Sequence, residues 1–181
     1  HRAILNIGGI ANVTTLPIQG IVKGFDTGPG NLLMDGWISK HLNERYDADG
    51  AWAASGTLIE ELLQACMSEP FFALPPPKSS GRDLFNLHWL ECRLKPAYAA
   101  VDVQRTLLEL SVYSIAKSIQ DFCPETEELY VCGGGAHNQA LVAGLQKQLP
   151  GLTIPLTDKL GIDADWVEAA AFAWLAYQTV H

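Results

Sequence analysis

Leu5-Asn6-Ile7-Gly8-Gly9-Ile10-Ala11-Asn12-Val13-Thr14, followed by Gly24-Phe25-Asp26-Thr27-Gly28-Pro29-Gly30-Asn31, decides how this chain folds. A β-prone run enters a Gly-Gly turn, a second leaves it, and a third ends at Asp26 before Gly-Pro-Gly. Residues 3–8, 11–17 and 20–26 read as three consecutive antiparallel strands, with turns at Gly8-Gly9 and Pro17-Ile18-Gln19-Gly20. Bare glycine amides let a phosphate approach closely. A carboxylate at a strand end beside them suits a general base. Each turn also has a plain reading. Gly-Gly is a common hairpin connection, and Asp26 could support its own turn through an Asx-type bond. Asn6 and Asn12 add polar groups that a plain hairpin does not require. The helix that begins near Asn31 should point free N–H groups and a positive dipole back toward Asp26.

Working outward, Leu32, Leu33, Trp37, Ile38 and Leu42 keep helical spacing from Asn31 to about Glu44. Tyr46-Asp47-Ala48-Asp49-Gly50 breaks that helix, and residues 57–68 suggest another. Residues 69–88, with Pro75, Pro76 and Pro77, read as an ordered loop over a cleft. Residues 101–122 form a long amphipathic helix on Val103, Leu107, Leu110, Tyr113 or Ser114, Ile115 and Ile119. A strand at Glu128–Cys132 runs into Gly133-Gly134-Gly135, and a helix follows from Asn138 to about Leu149. Leu152–Pro155 reads as a further strand and Asp165–Tyr177 as a last helix. Strands come first and then alternate with helices, so the fold class is α/β with a mixed sheet covered by helices. Phe71, Phe72, Trp37, Trp89 and Trp174 are assigned to the core.

A chain of 181 residues fits one domain or one large lobe of a two-lobed enzyme. Its 48% hydrophobic and 18% charged content supports a sizeable core and excludes disorder. The net charge of −8 argues against nucleic acid as a partner, since phosphate backbones demand clustered Lys and Arg. A nucleotide remains possible where glycine amides and a magnesium ion take up its charge. Cys66, Cys92, Cys123 and Cys132 form no CxxC pair, which points to a reducing, cytoplasmic setting without a metal site. No apolar run has the length of a membrane span. The first residue is His, and a core strand follows at once, which does not look like a natural start.

Three other groups carry candidate chemistry. Gly133-Gly134-Gly135, between a strand and a helix, read as a close-approach loop for a nucleotide's ribose, base or phosphate. Asp165 and Glu168 have the spacing of a capping box; the other reading is that Glu168 points into a cleft and binds a sugar hydroxyl. Lys78, Ser80 and Arg82 read as a solvated loop before a phosphate site, and His137 as structural or solvated.

Taken together, LNIGGIANVT (5–14), GFDTGPGN (24–31), DGAWAASG (49–56), PKSSGRDLFNLHWL (77–90), VCGGGAHN (131–138) and DWVEAAAFAWLA (165–176) resemble the acetate and sugar kinase/Hsp70/actin superfamily. Within it they are similar to the anhydro-N-acetylmuramic acid kinase family. The resemblance implies an actin-like, ribonuclease H-like ATPase lobe, spanning 1–181, from which the N-terminal lobe and its Gly-Thr-Ser-x-Asp-Gly loop are missing. It implies ATP with Mg²⁺ and a small sugar as ligands, a homodimer, and a role in peptidoglycan recycling. Asp26 would be the base that takes a proton from water attacking the 1,6-anhydro sugar, and O6 would accept the γ-phosphoryl group. Glu168 would contact the sugar. Gly8, Gly9, Gly28, Gly30 and Asn31 would bind phosphate, and Gly133, Gly134 and Gly135 the adenosine. Another substrate within the superfamily, or a non-catalytic ATP-binding module, are the rival readings.

Overall fold

The computed structural model describes residues 1–180. Strands β1 (Arg2–Ile7), β2 (Ile10–Leu16), β3 (Lys23–Pro29) and β4 (Glu128–Cys132) form one sheet in the order β3-β2-β1-β4. The first three pair antiparallel, and β4 joins β1 in parallel, so the sheet is mixed as the sequence predicts. The helices are α1 (Leu32–Leu42), α2 (Ala51–Ser55), α3 (Glu60–Met67), α4 (Leu87–Glu91), α5 (Ala100–Phe122), α6 (Gln139–Gln148) and α7 (Val167–Val180).

Alternation along the strands sorts the residues by face. Ala3, Leu5, Ile7, Ala11, Val13, Phe25, Leu129 and Val131 are buried and share one core with α5. At one edge of this layer Phe25 and Phe122 meet edge to face at 5.9 Å. Along α5 the buried seam passes through Ser114, while Tyr113 is exposed, which resolves the alternative the sequence left open. Helices α1, α2, α3 and α6 pack around α5.

Two expectations need correction. Residues 152–155 do not form a regular strand. Leu129 N–H donates to Thr153 O and Val131 N–H to Pro155 O, each at 2.9 Å, but only isolated bridges result. The proline has no N–H with which to return the next rung. Trp174 is not in the core: it is 61% exposed, and no side chain of α7 is fully buried. Phe172 and Leu175 are exposed with it, as are all residues of this helix from Glu168 to Val180.

The two glycine turns at the end of the sheet hold each other. Gly30 N–H and Leu32 N–H donate to Gly9 O at 2.9 and 3.1 Å, and Asn31 N–H donates to Gly8 O at 2.8 Å. Ser111 of α5 secures the clasp from below, donating to Gly30 O at 2.8 Å. A methyl group on Gly30 would stand 2.3 Å from Gly8 O. Both partners are backbone, so neither can swing aside. Gly30→Ala should therefore destabilise the chain by about 1–3 kcal/mol, the range for overpacked sites, measured by urea unfolding; unchanged stability would show that the turns are free to part.

Candidate active site

The face of the sheet turned away from α5 carries a polar row. Asp26 pairs with Asn12 across β3 and β2, and Asn12 with Asn6 across β2 and β1. Directly paired residues point to the same face, with Cβ atoms about 4.5–5.5 Å apart. A bulge puts Asp26 in this row. The register jumps from Ala11↔Gly28 to Asn12↔Asp26, leaving Thr27 as the extra residue. In an unshifted register Asn12 would face Thr27. Instead Thr27 turns into the core and donates to Ala11 O at 3.1 Å, re-aiming the carboxylate.

The proline loop fixes Asp26. Its N–H donates to Lys78 O at 3.0 Å, and its Oδ2 accepts from Ser79 Oγ at 2.9 Å and Ser80 N–H at 2.7 Å. Oδ1 has no partner among the described residues. The loop is thus ordered and anchored on the carboxylate. Lys78 is buried beneath it, 4.8 Å above the Phe71 ring, and burial lowers its pKa. Arg82 is exposed.

At the other end of the row, Asn6 Nδ2 donates to Glu168 Oε1 at 2.8 Å. Asp165 Oδ1 instead contacts His137 Nε2 at 2.9 Å. The spacing of a capping box is present but the box is not made, since both side chains take partners distant in sequence.

The glycines divide into two groups. Gly28 is buried, with Phe72 2.7 Å from where a methyl group would stand. The Gly30, Asn31 and Leu32 amides are occupied by the Gly8-Gly9 carbonyls, so the free N–H groups expected at this helix start are those of Leu33 and Met34, which have no acceptor among the described residues. By contrast, the N–H groups of Gly8, Gly9, Gly134 and Gly135 have no acceptor among the described residues. Gly133 donates to Ala164 O at 2.9 Å and holds φ at +78°, where side chains are strained.

Beside Gly134 opens a cavity of 520 Å³ lined by Asn31, Met34, Asp35, Tyr46 and Asp49, among others. Burial and the nearby charge of Asp47 push the Asp35 carboxyl up to about 6. Asp47 itself is satisfied by Trp52 N–H, Ala53 N–H and Gln104. Carboxylates in the wall repel a phosphate chain and accept hydrogen bonds from hydroxyls and amines. Sequence reading missed this cavity. The available signal was the four-residue step from Asn31 to Asp35, which puts both on one helix face.

The sheet, the crossing helix and the facing glycine loops define an actin-like ATPase fold. The activator of the 2-hydroxyisocaproyl-CoA dehydratase from Clostridium difficile, solved with bound ADPNP, is similar with a TM-score of 0.54. It is 13% identical, and the match covers 91% of this chain and 55% of that one. Xylulose kinase from Rhodospirillum rubrum matches with a TM-score of 0.53 at 14% identity, over 92% of this chain and 37% of that one. The family model for anhydro-N-acetylmuramic acid kinase matches residues 1–181. Enzymes of that name from Nitrosomonas europaea and Nitrosospira multiformis are 57% and 54% identical over 99% of this chain. The chain belongs to the anhydro-N-acetylmuramic acid kinase family. It spans 50% and 49% of the length of those two relatives.

Asp35 offers a test on the chain itself. A carboxyl whose pKa is raised on folding favours the folded state while protonated, and that contribution is lost as pH rises from about 4 through 6. Asp35→Asn should then stabilise the chain by about 1–2 kcal/mol at pH 7, after allowance for solvent screening, and by little at pH 4. Equal stability of the two proteins at both pH values would contradict the strained carboxyl.

Proposed function

We propose that this chain is the C-terminal lobe of an ATP-dependent kinase acting on 1,6-anhydro-N-acetylmuramic acid in peptidoglycan recycling. The observation that carries this reading is the polar row: a pinned carboxylate at one end, a carboxylate held by Asn6 at the other, and unpartnered glycine amides alongside. The row spans three strands, a width suited to one sugar ring. The phosphates of ATP would meet the N–H groups of Gly8 and Gly9, and the adenosine would lie along Gly134 and Gly135 with its nucleoside end in the cavity of Asp35 and Tyr46. Gly28, Gly30 and Asn31 would serve by holding the first loop in shape.

In the reaction, water attacks the anomeric carbon and the bond from that carbon to O6 breaks. Oδ1 of Asp26 takes the proton, while Ser79 and Ser80 hold Oδ2. The released O6 attacks the γ-phosphorus as the bond from that phosphorus to the β,γ-bridging oxygen breaks, giving N-acetylmuramic acid 6-phosphate and ADP. Glu168 accepts a hydrogen bond from a sugar hydroxyl. Phosphoryl transfer asks chiefly for positioning and charge neutralisation, and amides fixed by a backbone clasp supply the first. Mg²⁺ would supply part of the second. Among the described residues no group of three or more metal-ligating side chains is present. Such an ion would be carried mainly by phosphates and water.

A second lobe is part of the proposal. The chain spans about half the length of the curated relatives it matches, and the exposed apolar run of α7 is a surface that further protein would cover. A homodimer and a cytoplasmic location belong to the same reading. Among the described residues no helix is long and apolar enough to cross a membrane.

In the full-length protein, Asp26→Asn should lower product formation by at least about a thousandfold, within the span seen when a catalytic group is removed, and leave ATP affinity within about twofold, since the phosphate-binding amides are elsewhere. Steady-state assay and calorimetry read the two effects. Undiminished turnover would remove Asp26 as the base.

A further inference from the structure

Asn6 stands where the two halves of the proposed site meet. It lies on β1, an inner strand of the sheet, so its backbone is paired on both sides, with Asn12 and with Cys132. Its side-chain orientation is settled by chemistry. A carboxylate can only accept, so the atom 2.8 Å from Glu168 Oε1 must be the amide nitrogen. The amide oxygen then faces the other way. It is buried without a hydrogen-bond partner and lies 2.3 Å from where a methyl group on Gly133 would stand.

That geometry is costly and specific. A buried acceptor left unpaired loses the hydration it had in water. Glu168 sits at the exposed first turn of a helix that has little packing of its own. A glutamate in such a place would otherwise wander among rotamers and pay entropy on binding. Asn6 holds one carboxylate oxygen and leaves the other with no partner among the described residues. On its far side it is pressed against the loop whose glycines have unpartnered amides. Any side chain at position 133 would push Asn6 away from its place.

We propose that Asn6 is the positioning residue of the sugar subsite: it holds Glu168 for the sugar hydroxyl and fixes that carboxylate relative to the Gly133–Gly135 loop. This rests on the reading of Glu168 as the sugar contact, and the test separates the two. In the full-length protein, Glu168→Gln, Asn6→Ala, Asn6→Ser and the Glu168→Gln/Asn6→Ala double variant are compared by KM and kcat for sugar and for ATP. The expected result is a drop of about ten- to a hundredfold in kcat/KM for the sugar in Asn6→Ala, the span of a hydrogen bond to a charged group, with KM for ATP unchanged. The double variant should be no worse than Glu168→Gln alone, because the asparagine acts only through the glutamate. Asn6→Ser, which keeps a donor and protects against a folding failure of the alanine variant, should recover part of the loss. Additive losses in the double variant, or equal losses for both substrates, would overturn the positioning role while leaving Glu168 as a sugar contact. Full sugar affinity in Glu168→Gln would overturn the sugar-contact reading and the inference with it.

Discussion

The clasp between the two glycine turns is the constraint on which the rest of the site depends. Three backbone N–H groups, of Gly30, Asn31 and Leu32, close on the carbonyls of Gly8 and Gly9. This takes up the amides of Gly30, Asn31 and Leu32 and turns the carbonyls of the first loop inward. What remains outward is the N–H edge of Gly8 and Gly9. A loop held through its carbonyls presents its amides without needing any side chain, and without reorganising when a ligand arrives. Ser111 ties the same clasp to α5, so the loop is registered against the core and not only against its neighbour.

From that fixed point, parity does the rest. Strand alternation sends Leu5 and Ile7 into the core and Asn6 to the open face. The bulge at Thr27 changes the parity of β3 once, which brings Asp26 to that face too. One extra residue is therefore enough to place a carboxylate three strands from Glu168. The proline loop then removes the remaining freedom of Asp26 through Ser79 and Ser80, and its own Lys78 is spent underneath on aromatic rings.

Much of this was legible in the sequence, and the parts that were not share a cause. The three leading strands, α5 and the strand before Gly133 follow from hydrophobic period and turn residues, which are local. The partners of polar groups are not local. Glu168 and Asp165 have capping-box spacing, yet Glu168 bonds to Asn6, separated from it by 162 positions. The amides of Gly30 and Asn31 look free in sequence, because nothing there shows Gly8 and Gly9 folding back onto them. Pro155 ends a ladder only once its register against β4 is known. Trp174 is assigned to the core by the rule that a large aromatic residue is buried, and it lies on a helix whose residues are exposed from Glu168 onward.

The central claim is that one cleft face binds ATP through the glycine amides that the fold leaves unpaired. Amide-resolved NMR of the full-length protein, titrated with a non-hydrolysable ATP analogue and Mg²⁺, addresses it directly. The account predicts that the largest shifts fall on the N–H groups of Gly8, Gly9, Gly134 and Gly135, with those of Gly30 and Asn31 little changed because their hydrogen bonds stay intact. Shifts that spare these four glycines and gather elsewhere, such as the β2–β3 turn, would contradict it.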